Sequence, residues 1–400
     1  MEAQPLAGVP ATNPSFTRDR FTWTAYLLLG YFAYLQALLG PLMPFLRQEL
    51  GLSYVVGSLH LSAFAAGMVP IGLFGDVITR RLGFHKALWG GAAGMAVGAI
   101  GLVLGGHVTL TIAATATMGI VGTLVLVAQQ ASLAHHHGPR RAVAFTEGNI
   151  VASLCSMLAP LAVGAAVGSG LGWRAAMLLP IPIFIAMLVS EGRRPVPEPA
   201  RREAGEGPRE RLPRIFWAYW LVACLSVAVE WSIGFWAADY LHTVAGLPIE
   251  LAVTAMSVFF LSMLVGRFLG SVLTRRYQPA QLLLTMLGIG MVGVVLFWQA
   301  PHIIITLVGL AIAGLGVGNL YPFSLSVAVE AAPHHTGAAS ARMTLAGGLA
   351  ILTAPLVLGN RADQVGLADA FAIVPALLAC ALVVAFGAQW ATKHPTSTRS

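Results

Sequence analysis

Apolar residues run along this chain in blocks of helical length, and polar residues are confined to short breaks between them. The blocks fall at 22–46, 53–79, 85–105, 108–134, 141–169, 172–190, 215–241, 248–274, 279–299, 302–331, 336–359 and 366–390. Each is close to or above the length of about 20 residues that a helix needs to cross the hydrocarbon of a bilayer. The pattern predicts an all-α membrane protein with twelve transmembrane helices. One break differs from the rest: residues 191–214 hold seven Arg, five Glu and five Pro with no apolar periodicity, which reads as a solvated linker. The predicted organisation is a tail at 1–21, a six-helix bundle at 22–190, the linker at 191–214, a second six-helix bundle at 215–390 and a tail at 391–400.

Composition agrees with this pattern and closes off other classes. Of 400 residues, 57% are hydrophobic and 10% charged, against about 25% charged in a soluble domain. A soluble or disordered chain is excluded. The net charge of +7 would suit a nucleic-acid partner, but its placement does not. Arg80, Arg81, Lys86, Arg140, Arg141, Arg275 and Arg276 fall in one set of loops, with Arg18, Arg20, Lys393 and Arg399 in the tails. The alternate loops carry only Arg47, Arg174 and Arg361. This asymmetry predicts an inner-membrane, multi-pass protein with both termini in the cytoplasm and no nucleic-acid partner. The first 20 residues lack the apolar stretch of a cleavable signal. Cys155, Cys224 and Cys380 lie far apart inside apolar runs and read as small buried hydrophobes rather than as ligands of a metal.

The two predicted bundles are related by an internal repeat at an offset of 195. Thr79-Arg80-Arg81 recurs as Thr274-Arg275-Arg276, and Ala159-Pro160-Leu161 with Gly164 recurs as Ala354-Pro355-Leu356 with Gly359. Gly51-Leu52 matches Gly246-Leu247, Ser62 and Phe64 match Ser257 and Phe259, and Pro180 matches Pro375. Repeated halves are the mark of alternating-access carriers, with a site between the halves near mid-membrane.

Two local motifs carry a resemblance to a known family. After the second block stands Gly72-Leu-Phe-Gly-Asp76-Val-Ile-Thr-Arg80-Arg81-Leu-Gly83, a glycine, an acid four residues on, then basic residues around a further glycine. The fifth block carries Ala159-Pro160 with Gly164, and Gly172-Trp173-Arg174 follows it. With the six-plus-six pattern and the basic central linker, the chain resembles the major facilitator superfamily over nearly its whole length. It departs from the family pattern in three extra residues before Arg80 and in Ala159 where a glycine is usual. The resemblance implies that the first, fourth, seventh and tenth helices line a central cavity. Their polar and aromatic residues at mid-depth are Tyr31, Tyr34, Gln36, Gln129, Glu230, Trp231, Trp236, Asn319 and Tyr321, the candidate substrate cavity. It also implies contact of the fifth helix with the eighth, and of the second with the eleventh, across the two bundles.

Charge inside a membrane is costly and is by default a functional hypothesis. Asp76, Glu147, Glu230, Arg267 and Arg342 qualify. Glu230, midway along the seventh block, is the expected proton carrier, and Asp239, two turns further toward the outer face, reads as a solvated mouth residue. Glu147 and Arg342 are equivalent in the repeat, because 147 + 195 = 342. The expected inner gate is two cross-bundle pairs, Glu147 with Arg267 and Asp76 with Arg342, closed when the carrier is open to the outside. No Lys or Arg falls at mid-depth on the four cavity helices, which favours a neutral or cationic cargo. The His135-His136-His137 run reads as a solvated helix end and His60 as a satisfied core histidine. Gly90, Gly94 and Gly98 read as a stripe for close helix packing.

The expected function is secondary, proton-coupled transport of a small organic solute by a monomer without cofactor or metal. The helix-five motif leans toward export over the alternative, proton-coupled uptake of a nutrient such as a sugar or an organic acid. GxxxxGK[ST] is absent, which speaks against ATP-driven pumping. A membrane-embedded enzyme would need a cluster of His, Asp or Glu at one depth, and a passive pore would need no mobile interface.

Overall fold

The computed structural model describes residues 16–198, 212–299, 302–333 and 336–393. Most of the linker, at 199–211, lies outside the described residues, as do His334, His335 and Arg399. With no water in hydrocarbon to satisfy backbone groups, each crossing must be a helix. The described chain is helical almost throughout.

The first crossing is not one helix, as the hydropathy pattern predicts. α1 (Arg20–Leu38) starts on Asp19, whose carboxylate accepts from Thr22 N at 2.9 Å. It ends just before Gly40-Pro41, and α2 (Met43–Leu50) leaves at 48°. Proline cannot donate to the helix ladder and clashes with the preceding turn, so the break falls where the sequence places it. α3 (Tyr54–Leu82), α4 (Phe84–Leu104), α5 (Val108–His137) and α6 (Arg141–Gly168) follow. The sixth crossing is α7 (Trp173–Leu178) and α8 (Pro180–Glu191), parted at Pro180. The second half runs α9 (Arg214–Thr243), α10 (Ile249–Leu273), α11 (Pro279–Gln299), α12 (Ile303–Val317), α13 (Leu320–Glu330), α14 (Thr336–Val365), α15 (Leu367–Ala370) and α16 (Ile373–Lys393).

Ten helical stretches are long and apolar enough to cross a membrane, and the bent pair α1–α2 makes an eleventh. One of them, Val108–Gly168, spans 61 residues, about three times the need of one crossing. It divides at Gly138-Pro139-Arg140. α1 contacts α5 in opposite order, Thr22 with His137 and Phe32 beside Gly122. It contacts α6 in the same order, Tyr26 with Glu147 and Gly30 beside Cys155. α5 and α6 are therefore antiparallel, and the described helices make twelve crossings.

The sequence repeat is a repeat of packing. Gly119 on α5 sits against the carbonyl of Phe64 on α3, and Gly314 on α12 against the carbonyl of Phe259 on α10. Both members of the pair shift by 195 positions. In a membrane, where apolar burial drives little association, such close backbone approach supplies the van der Waals contact that holds helices together. Gly94 and Gly98 do the same against Val121 and Met118 of α5, but the third member of that face is Gly91, not Gly90, which meets nothing. Cys155 and Cys224 are half-buried, whereas Cys380 is exposed, unlike the buried position expected for it.

Gly119→Val and Gly314→Val should each destabilise the protein by about 1–3 kcal/mol, the usual cost of overpacking. Thermal unfolding in detergent checks this, and the repeat requires the two losses to be similar.

Candidate functional site

The end opposite Arg80, Arg81, Arg140, Arg141, Arg275 and Arg276 is closed by contacts between the halves. The Gly40 break lets α1 meet the backbone of Gly234 and Phe235 on α9. The bend then turns α2 so that Arg47 forms an ion pair with Asp239 of α9 and lies over the Tyr54 ring, 3.5 Å from its centroid. Asp239, expected as a solvated mouth residue, is 2% exposed. Pro355 on α14 offers its carbonyl to Ser58 Oγ at 2.8 Å and to Trp236 Nε1 at 3.1 Å, which ties three helices at one point. Ser62 Oγ donates to Leu352 O at 2.8 Å. Asp363 accepts from the N–H groups of Tyr54 and Val55 at 2.7 and 2.9 Å, a carboxylate at a helix N-terminus. The motif glycine Gly164 packs α6 onto Glu250 and Thr254 of α10, as Gly359 packs α14 onto Tyr54 and Ser58 of α3.

The basic end is open. A vestibule of about 1500 Å³ rises between the halves, lined by α3, α5 and α6 on one side and α9, α10, α13 and α14 on the other. At its head lies a chamber of about 300 Å³ that also takes in Leu29, Gln36 and Gly40 from the α1 side. Gln130, Asn149, Ser153, Glu230, Trp231 and Arg267 line both spaces and so stand at their junction.

Arg267 is the fixed centre of this junction. α12 stops at Gly318, leaving a carbonyl without a helical partner. Arg267 Nε donates to that carbonyl at 3.1 Å, and Asn319 Nδ2 donates to Gly266 O at 2.5 Å. The two bonds lock the α12–α13 break onto α10. Arg267 Nη1 then donates across the halves to Ser153 Oγ at 3.1 Å, and Nη2 lies 3.7 Å from Glu230 Oε1. Irregular backbone at membrane depth is tolerated where it lines such a cavity.

The structure divides the expected cavity residues. Gln36, Glu230, Trp231, Asn319 and Tyr321 line the cavity. Tyr31, Tyr34, Gln129 and Trp236 do not. Tyr31 stacks on Phe184 and donates to Ala92 O at 3.4 Å, and Tyr34 donates to Ala176 O at 2.8 Å, so both face into the first half. Gln129 is buried with Oε1 unpartnered, and its neighbour Gln130 faces the cavity instead. Trp236 belongs to the closed end. Helical phase explains these misses: residues at the right depth point in every direction, and composition does not show which. Asn149 and Ser153 on α6 and Arg267 on α10 were missed as cavity residues because they sit outside the four helices considered. The cargo expectation changes with them, since a cation does reach the cavity.

Neither expected gate pair is formed in this open state. Glu147 is held by Arg18 at 2.6 Å and by the Tyr26 hydroxyl at 3.2 Å, inside its own half. Asp76 pairs one turn on with Arg80 at 2.9 Å, and Arg81 follows it. Gly83 ends α3 at φ 87, a conformation that suits glycine. Gly72 lines the vestibule. The Arg342 guanidinium lies 5.9 Å from the Trp217 ring centroid. The histidine run is not simply solvated: His136 Nε2 meets Asp19 Oδ2 and His137 Nε2 meets Thr22 Oγ1, both at 2.8 Å. Burial raises the Asp19 carboxyl, but hydrogen bonds from Thr22 and the contact with His136 outweigh it and hold the group below its usual range. His60 is buried and bonded to Thr111 Oγ1 at 2.8 Å.

A helical membrane protein built as two related halves around one cavity, open at one end only, has the architecture of a carrier. A sequence model of the Major Facilitator Superfamily matches residues 22–355, and the chain belongs to that family. It is a secondary transporter rather than an enzyme. An uncharacterized transporter of the family from Yersinia pestis is 24% identical over 392 residues, covering 96% of this chain and 98% of the relative. Solved structures share the fold. A bacterial homologue of the human lysosomal transporter Spinster, inward-facing and occupied, is 15% identical with a TM-score of 0.76, covering 96% of this chain and all of that one (100%). A nucleoside transporter is 12% identical with a TM-score of 0.77, covering 93% and 99%.

Asp239→Asn should open the closed end, because Arg47 loses its counter-charge where a stranded buried charge costs about 3–5 kcal/mol. In a background lacking the three native cysteines, Ser62→Cys should react at least several-fold faster with a membrane-impermeant maleimide once Asp239→Asn is added.

Proposed function

We propose that this protein moves a small organic solute across the inner membrane by alternating access, with the movement coupled to protons at Glu230. The supporting observation is the position of Glu230 beside Arg267 at the junction of chamber and vestibule. Both spaces that lead from the open end are lined by this pair, so a solute or a proton entering there would reach it. Basic residues collect in cytoplasmic loops, so the basic end is read as the inner side and the state as inward-open, with both termini cytoplasmic. The two bundles, 22–190 and 215–390, are the bodies that rock. The motif that suggested export is occupied with packing: Gly164 seats α6 on α10, and Trp173 and Arg174 bind Glu49 at 2.8 and 2.7 Å. It therefore supplies no argument for direction.

On closure of the inner side, α6 approaches α10 and α3 approaches α14. Glu147 then exchanges Arg18 for Arg267, and Asp76 takes Arg342. In this reading Arg267 serves Glu230 in one state and Glu147 in the other, so the carboxylate at the site loses its partner as the gate gains one. A shift of about 1.4 kcal/mol changes the ratio of states tenfold, so each pair need contribute little to bias the cycle.

Two measurements test this. Proteoliposomes holding a trapped pH dye are challenged in turn with organic acids, sugars, amino acids and amines. At least one solute should move protons through the wild type, and Glu230→Gln should lose that movement while keeping counterflow of the same solute. Persisting proton movement in Glu230→Gln removes Glu230 from the coupling. For the gate, spin labels at Lys86 and Gln278 report the inner side. Arg342→Gln breaks no ion pair among the described residues of the open state and should raise its population about tenfold. An unchanged distance distribution removes Arg342 from the gate.

A further inference from the structure

The charge pair at the chamber is unequal in how it is held. Arg267 has two hydrogen bonds besides its contact with Glu230, one to the Gly318 carbonyl and one to Ser153. Glu230 accepts no hydrogen bond among the described residues, and its oxygen lies 3.7 Å from the guanidinium, beyond hydrogen-bond reach. The cation is fixed, and the anion is held by attraction alone. A guanidinium carries five donors in a planar fork, so Arg267 keeps donors free toward the cavity.

A second carboxylate arriving from the vestibule meets a fixed cation with open donors. It competes directly with Glu230, and the two negative charges exclude each other unless one takes a proton. An arriving ammonium meets the opposite case, because in the open state Arg267 is held at the cavity by its bonds to Gly318 and Ser153. Among the described residues the only other titratable group lining either space is Tyr321, and none of them offers a second cation to balance a dianion. Trp231 and Phe260 offer apolar surface in the chamber, Asn149 an amide, and the volume of about 300 Å³ suits a molecule of one small ring.

Resting on the reading of this cavity as the solute site, we propose that the cargo is a small organic monoanion, a carboxylate with an apolar or aromatic body. It binds the Arg267 fork and displaces Glu230, which takes up one proton. Anion and proton then share the same loaded state and travel together, with no net charge added to the site. This replaces the neutral or cationic cargo that the sequence suggested, for the stated reason that Arg267 reaches the cavity from α10.

The test uses the purified full chain and three matched probes, benzoate, benzamide and benzylamine, with butyrate and phenylacetate extending the acid series. Ligand-dependent thermal stabilisation is read between about pH 6 and 8, where all the acids are ionised. At least one acid should stabilise the wild type, with neither the amide nor the amine doing so. Its affinity should rise as pH falls, by up to about tenfold per pH unit, the limit for one linked proton. Arg267→Gln should abolish the stabilisation and Arg267→Lys weaken it, and the melting of each unliganded variant reports whether it is folded. Glu230→Gln should bind the acid with the pH dependence gone. Stabilisation by the amine or amide in place of the acids overturns the proposal. So does the absence of any acid effect, or an acid effect that survives in folded Arg267→Gln. An acid effect lost in Arg267→Gln but still pH-dependent in Glu230→Gln keeps the anion site and removes Glu230 as proton carrier, which separates this inference from the reading it rests on.

Discussion

A guanidinium within a membrane-spanning helix must have its charge and its donors answered by protein, because lipid answers neither. Arg267 meets that demand with a carbonyl, a hydroxyl and a carboxylate drawn from three different crossings. Each partner explains a feature elsewhere. The carbonyl exists because α12 stops at Gly318, and the stop is held by Asn319 on Gly266. The hydroxyl of Ser153 adds a second contact between α6 and α10 besides the one at Gly164. The carboxylate brings α9 to the same point. Were Arg267 apolar, the free Gly318 carbonyl, the Ser153 hydroxyl and the Glu230 carboxylate would each need another partner.

The two ends of the molecule are held by different physics. The closed end has backbones in contact, an ion pair screened from water, and hydroxyl donors on carbonyls of the opposite half, with the Trp236 indole on the same Pro355 carbonyl from within its own half. The basic end has ion pairs too, but Arg18–Glu147 and Asp76–Arg80 each lie within one half and are partly exposed. Exposed pairs contribute about 0–1 kcal/mol and do not join the halves. The closed end therefore sets the state described here. Pairs that hold their own half can exchange partners when the halves approach, with the charges near water throughout.

The sequence carried the fold because its signal is dense: twelve apolar blocks, prolines at the breaks and a repeat that survives as Gly119 on Phe64 and Gly314 on Phe259. The α1–α2 bend at Gly40-Pro41 was written there as well, but a hydropathy block runs straight through it. The site was legible only by depth. Glu230 stood out because a charge in hydrocarbon is conspicuous, whereas Gln129 and Gln130 differ by 100° of helical phase, which an all-apolar helix does not reveal. Arg267 was visible as an intramembrane charge, but its role was not. Its side chain is long, and whether it reaches a gate or a cavity depends on where α12 happens to stop. Asp239 was misplaced for the same reason: its partner Arg47 lies 192 residues away, and only the bend of α2 brings them together.

The repeat also separates scaffold from chemistry. Positions that agree at the offset of 195, Gly119 with Gly314 and Gly164 with Gly359, make the same packing contact in each half. The repeat runs parallel, so it matches the halves to each other at the same end: Gly164 and Gly359 both pack at the closed end. The charged groups of the site break that symmetry. The position equivalent to Glu230 is Leu35, and the position equivalent to Arg267 is Gly72. A symmetric pair of carboxylates and guanidiniums would satisfy itself and leave nothing for a solute to compete with. With one of each, both from the second half, the pair faces polar but uncharged Gln130, Asn149 and Ser153 of the first half across the cavity. The first half then meets the charge of the site through the neutral hydroxyl of Ser153 and through what binds between the halves. That is the condition under which occupancy, rather than the protein alone, decides which end closes.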